Sequence, residues 1–200
     1  SVTGSTVAGT IYCQTGSGNN KSCNTSQSDP VPQNFPVSDQ NIADWKDLAV
    51  AGGTSSGLNL SGSTEQTIGP KKINGNITLS NNAILNTTGV LWVTGDVSIS
   101  NSSQFRVDAS MGVNGGIIIV DGTVTTSNSA VFSGSGTTGS YMMVISTNTG
   151  NSAIQISNSA GSVILIAPYG GVMLSNTASA NQITANRITL SNAATVTYNS

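Results

Sequence analysis

The sequence predicts an all-β protein: a single-stranded parallel β-helix of about six right-handed coils, preceded by one capping α-helix. Three observations carry that prediction. Ser (31), Thr (24), Asn (22) and Gly (23) make up half of the 200 residues, while charged residues are only 7%. A helical protein needs far more Glu, Lys and Ala to clothe its surface. The hydrophobic residues, 36% of the chain, gather in compact runs such as Val90–Val93, Gly116–Val120 and Val163–Ile166. Such runs, bounded by glycine and asparagine, are strand material and exclude a disordered chain. The third observation is an internal repeat, which outranks local propensity in naming a fold.

Residues 1–37 form an irregular leader of Gly/Ser/Asn tracts ending in Pro30, Pro32 and Pro36. Cys13 and Cys23 lie in its polar loop, a spacing that suggests a disulfide and an oxidising compartment, with two unpaired thiols as the alternative. A metal site is poorly supported, because two cysteines in a chain without histidine fall short of four ligands. The chain starts at Ser1 with neither an initiator methionine nor a signal-like segment, so it is read as a processed or trimmed fragment.

The helix is expected over 38–53. Ser38 serves as N-cap, Ile42, Trp45, Leu48 and Ala49 recur on one face, and Gly52-Gly53 ends it. A parallel β-helix has open edges at both ends. The apolar face of Ile42, Trp45 and Leu48 is therefore expected to cover the N-terminal end of the core, with Trp45 supplying most of the buried area.

Residues 54–200 are expected to form the β-helix. The phrase Ile77-Thr78-Leu79-Ser80-Asn81-Asn82-Ala83 returns at Val97–Ser103, Val124–Ala130, Ile154–Ala160, Val172–Ala178 and Ile188–Ala194. Its asparagines, Asn81, Asn101, Asn128, Asn158, Asn176 and Asn192, are 20, 27, 30, 18 and 16 residues apart. Unequal spacing excludes uniform blades and suits coils that share one strand and corner while other corners vary in length. The first and third positions are apolar, Thr126 excepted, so one strand face points inward. Asparagine tolerates left-handed backbone, and its amide can bond to its like in the next coil, which predicts a stacked asparagine column at one corner. The small residue two positions on (Ala83, Ser103, Ala130, Ala160, Ala178, Ala194) suits a tight inner turn. Scarcity of charge fits as well, since uncharged ladders stack without repulsion.

Beyond the repeat, the segments Val37–Lys46, Gly69–Ile77 and Gly89–Gly95 together with the Ser-Asn phrases resemble a family of bacterial surface proteins. Its members carry parallel β-helical ectodomains behind pilin-like or other membrane-anchoring N-termini, and the resemblance covers about Pro36 to Ser200. It implies a β-helix displayed at the cell surface, and it brings no catalytic residues or cofactors with it.

A net charge of −2 with six scattered basic residues argues against nucleic acid. No apolar stretch approaches the ~18 residues that span a bilayer, so this fragment does not insert into a membrane. The candidates for carbohydrate chemistry are Asp96, Asp108 and Asp121, with Arg106. Asp96 and Asp121 stand in turn-like contexts at different offsets from the repeat asparagine, where aspartate is more often structural. Calcium-loop spacing is absent. The outward column Thr78, Ser98, Thr125, Gln155, Met173 and Thr189 could bind glycans or ice, and is more simply a solvated sheet face. Tyr141, Tyr169 and Tyr198 are too few for a stacking platform. Sequons at Asn20, Asn24, Asn59, Asn76, Asn86 and Asn101 are what this composition produces unaided. The expected function is a non-enzymatic extracellular structural or adhesive ectodomain whose partners are surface glycans or other surface subunits. The alternative is a polysaccharide-processing, glycan-binding or ice-binding β-helix.

Overall fold

The computed structural model describes residues 9–14, 21–28, 34–158 and 164–197. Pro30, Pro32, Ala160, Val163, Tyr198 and the Asn20 sequon lie outside these residues. Helix α1 (Asp39–Ala51) is followed by β1 (Thr54–Ser61), β2 (Glu65–Ile68), β3 (Lys71–Ser80), β4 (Ile84–Thr87), β5 (Val90–Val93), β6 (Val97–Ile99) and β7 (Gln104–Val107). Then come β8 (Gly116–Val120), β9 (Val124–Thr126), β10 (Val131–Ser133), β11 (Met142–Ser146), β12 (Ile154–Ile156), β13 (Ile164–Leu174), β14 (Ser179–Ala180), β15 (Gln182–Leu190) and β16 (Thr195–Val196).

Every strand pairing is parallel, and each circuit of the chain lies on the one before it, the arrangement of a parallel solenoid. Three faces result. The first runs β3–β5–β8–β11–β13, the second β3–β6–β9–β12–β13, and the third β2–β4–β7–β10. The long strands β1, β3, β13 and β15 turn the corner between the first two faces, with register shifts at Ser56/Leu58 and Ala167/Gly171, whereas the circuits of β5/β6, β8/β9 and β11/β12 break there into two strands. The repeat also begins one circuit earlier than its asparagines reveal. Leu58, Leu60 and Ser61 pair with Ile77, Leu79 and Ser80, so Gly62 (φ 71°) takes the place of the asparagine.

The asparagine column forms as expected. Asn81, Asn101, Asn128, Asn158, Asn176 and Asn192 all have φ between 51° and 57°. Each Nδ2 from Asn101 onward donates to the Oδ1 of the preceding asparagine, at 3.1, 3.1, 3.3, 3.0 and 2.9 Å. Asn81 ends the ladder by donating to the Ser61 hydroxyl at 3.3 Å. The residue after the asparagine is also left-handed at Asn82, Ser102, Ser129, Thr177 and Ala193. Two successive left-handed residues reverse the chain in four, and the N–H of Ala83, Ser103, Ala130, Ala178 and Ala194 closes the turn onto the serine carbonyl three residues back. Those small residues are buried, leaving no room for a larger side chain.

Inward side chains of all three faces form one continuous core, with Leu79, Leu85, Leu91, Ile99, Phe105 and Ile118 fully enclosed. Thr126 stands in this core between Ile99 and Ile156, and its buried hydroxyl has no hydrogen-bond partner. A buried unpartnered hydroxyl costs about 1–3 kcal/mol. Thr126→Val keeps the shape and removes that cost, so it is expected to raise stability by about 1 kcal/mol in urea denaturation.

Helix α1 does not cap the end of the core. Its N-cap is Ser38 in a reciprocal capping box with Asn41, and Gly52 ends it, but it lies along the outside of the first face. Asp39 accepts a hydrogen bond from Tyr169, Lys46 meets Asp121, and Gly53 accepts from Lys72. The helix therefore runs antiparallel to the stacking direction, from β13 back to β3. Thirteen residues span ~20 Å, close to the ~19 Å of four strand spacings. Ile42 packs with Val37, Ile119, Ile145 and Ile166, and Trp45 is a half-buried neighbour of this cluster. Leu48 is 56% exposed, and Ala49 rather than Leu48 is fully buried. The physical reason is on the sheet: Val90, Trp92, Ile117, Ile119, Met143 and Ile145 give the first face an apolar exterior that must be covered.

Cys13 and Cys23 form the disulfide anticipated from their spacing, with Cα atoms 5.3 Å apart. Among the described residues no helix is long and apolar enough to cross a membrane.

Candidate functional site: a polar groove on the third face

The three aspartates singled out in the sequence, Asp96, Asp108 and Asp121, do not converge. Asp121 clamps the helix to the first face: one oxygen accepts from Lys46 Nζ at 2.6 Å and Thr147 Oγ1 at 2.9 Å, the other from Trp92 Nε1 at 2.8 Å. The Lys46 and Lys72 ammonium groups stand 4.8 and 4.1 Å from the centre of the Trp92 ring. Partial burial pushes the Asp121 carboxyl up, but the bonds from Lys46, Trp92 and Thr147 outweigh it and hold the carboxyl below its ordinary value. A depressed folded-state pKa contributes stability above the unfolded value of about 4 and loses it as pH falls through the folded value. Acid below about pH 4 is therefore expected to loosen the helix, read as a change in Trp45 and Trp92 fluorescence that Asp121→Asn shows already at neutral pH.

Asp96 is turn chemistry. It accepts from the Thr123 N–H and hydroxyl at 2.7 and 2.9 Å, and its own N–H donates to Asn76 Oδ1 at 2.8 Å. Gly122 fits beside it only because it lacks a side chain, since a Cβ there would lie 2.3 Å from an Asp96 oxygen. Among the described residues no group of three or more Asp, Glu, Cys or His could hold a metal ion. The outward column of the second face stacks in register from Thr78 to Thr189, but Gln155 and Met173 interrupt its hydroxyls.

Asp108 and Arg106 belong elsewhere, in an open groove of about 610 Å³ on the third face. Its floor is Asn86, Arg106 and Ser133, part of an outward row of four paired strands that Thr67 begins, with Glu65 and Gln104 two residues earlier on their strands than Thr67 and Arg106. The Arg106 guanidinium donates to Asn86 Oδ1 at 2.7 Å, Glu65 at 2.9 Å and Gln104 at 3.3 Å. Asn86, 5% exposed, donates in turn to the same Glu65 oxygen at 2.8 Å. Those bonds, the Asn86 amide's first and the guanidinium's second, hold the Glu65 carboxyl below its usual range. Asp108 is also lowered, chiefly by the Ser110 hydroxyl and N–H at 2.6 and 2.9 Å, where it caps the short 3-10 helix Ala109–Met111. The remaining wall is the segment 134–140, made entirely of Ser, Thr and Gly, together with Tyr141.

The sequence alone does not single out Glu65 and Gln104, and it marks Asn86 only as a sequon, although a signal for the row is present. Thr67, Asn86, Arg106 and Ser133 each follow the turn residue of their circuit (Gly62, Asn81, Asn101, Asn128) by five positions, so one offset generates the whole row.

No protein-family model, curated protein or solved structure matches the chain.

Proposed function

We propose that this chain is a non-enzymatic extracellular ectodomain, structural and adhesive in role, belonging to a bacterial surface or pilus-associated protein. In this reading it is a right-handed parallel β-helix of seven coils, one more than its Ser-Asn phrases, because Leu58–Gly62 supplies a first. The observation that carries the proposal is the unbroken asparagine ladder from Asn81 to Asn192. It describes a stiff rod that presents faces and loops, and stiffness is what a display element needs. The Cys13–Cys23 disulfide supports an oxidising compartment. Asp96, Asp108 and Asp121 support the absence of catalysis, since each accepts structural hydrogen bonds in a different place.

The test is incubation of the purified chain with a panel of acidic and neutral polysaccharides, followed by chromatography for released oligosaccharides. No cleavage product is expected. Reproducible depolymerisation that disappears on changing Asp96, Asp108 or Asp121 to Asn would overturn the proposal in favour of a polysaccharide-processing enzyme.

A further inference from the structure

We infer that the groove on the third face is the adhesive site, and that its ligand is a short neutral oligosaccharide. The inference rests on the adhesive reading above and gives it a location. A volume of about 610 Å³ falls within the ~300–1,000 Å³ typical of small-molecule sites.

The floor has the chemistry of a sugar site. Three of the five guanidinium N–H groups of Arg106 are used by Asn86, Glu65 and Gln104, and two remain for a ligand. Both protein bonds to Glu65 fall on Oε1, leaving Oε2 as an acceptor. Asp108 Oδ2 has only a long contact, 3.4 Å, with the Thr67 hydroxyl. Acceptors and donors thus lie close together, and a pair of neighbouring sugar hydroxyls needs both: each hydroxyl donates to a carboxylate while accepting from the guanidinium.

Charge argues in the same direction. The chain has only six basic and eight acidic residues, yet Glu65, Arg106 and Asp108 share this groove. With both carboxyls held below their usual range, the groove carries a net charge of about −1 at neutral pH. That repels uronic acids and sulfated sugars, while Arg106 opposes a cation, so an uncharged ligand suits it best.

The groove is also built in advance. Ser140 Oγ donates to the Asn114 carbonyl at 2.7 Å and accepts from the Ser135 N–H at 3.0 Å, while Ser135 Oγ donates to the Gly112 carbonyl. These bonds tie the wall segment to its neighbour and reduce the ordering needed on binding.

The experiment titrates the intact, oxidised chain with cellotriose, maltotriose, mannotriose and a trigalacturonate, followed by backbone amide NMR shifts. Saturable shifts with at least one neutral trisaccharide are expected, with trigalacturonate at least tenfold weaker. Arg106→Lys, which keeps the charge and loses the planar fork, should weaken binding at least tenfold. Thr138→Trp, on the groove wall and remote from the floor network, should do the same by occupying the space. Ser175→Ala on the second face should leave binding unchanged. No binding of any neutral trisaccharide, stronger binding of trigalacturonate, or binding that survives Thr138→Trp would overturn the inference. Cleavage of a bound trisaccharide would instead overturn the non-enzymatic reading and leave the groove assignment standing, so the two failures are distinguishable.

Discussion

Phe105→Ala is expected to lower the stability of the chain by about 3–5 kcal/mol, the usual cost of emptying a buried aromatic site. Phe105 is fully buried on β7, its ring 5.6 Å from that of Phe132 on the paired strand β10. Its neighbours along the strand, Gln104 and Arg106, point outward into the groove, so one strand supplies core packing on one side and the site on the other. For a protein of this length the loss corresponds to a melting temperature roughly 6–20 °C lower. Circular dichroism melting of the variant checks it, and a loss below about 1 kcal/mol would place Phe105 outside the core. The groove should suffer too, because a collapsed floor misplaces the guanidinium network.

Asn128→Ala is the second large effect, expected at about 2 kcal/mol. The substitution removes two ladder bonds, one donated to Asn101 and one accepted from Asn158, and water recovers part of each. It also forces alanine into φ 53°, where asparagine is far better tolerated. Asn128→Gly separates the two contributions: glycine relieves the backbone and still lacks the amide. Equilibrium urea denaturation should therefore rank wild type first, Asn128→Gly second and Asn128→Ala last. If Gly and Ala variants are equally unstable, the turn conformation contributes nothing.

Much of this architecture was legible because the repeat states its own geometry. Alternation in Val97-Ser98-Ile99 marks one inward face, and the Ser-Asn pair that follows marks a left-handed corner. The helix was legible as an element and misplaced as a cap. An end cap and a lateral strap both need one apolar helix face, so Ile42 and Trp45 do not discriminate between them. The discriminating signal lay in the sheet: Ile117, Ile118 and Ile119 are apolar without alternation, which means that both faces of that sheet are covered. The earliest circuit was hidden because Gly62 replaces asparagine there, serving the same backbone need with a different residue. The groove was the least legible part. Glu65, Asn86 and Arg106 are separated by 21 and 20 residues in the chain, and only the strand register brings them together. Asp121, by contrast, looked like turn chemistry, but its partner Lys46 lies 75 residues away.

The solenoid stands on the stacking of the Ser-Asn phrases in one column, and pulsed electron–electron double resonance with spin labels at the serine positions tests that stacking. Ser80, Ser157, Ser175 and Ser191 each precede a ladder asparagine, and the native disulfide leaves no free cysteine among the described residues to compete for label. Paired with a label at Ser80, positions 157, 175 and 191 are three, four and five circuits away. Their mean separations should be ~14, ~19 and ~24 Å, rising by one strand spacing of ~4.8 Å at each step. The increments should be equal although the sequence steps, 18 and 16 residues, differ from those of earlier circuits. Distances that fail to increase in that order, or that place Ser191 within one strand spacing of Ser80, would contradict the solenoid and everything built on it.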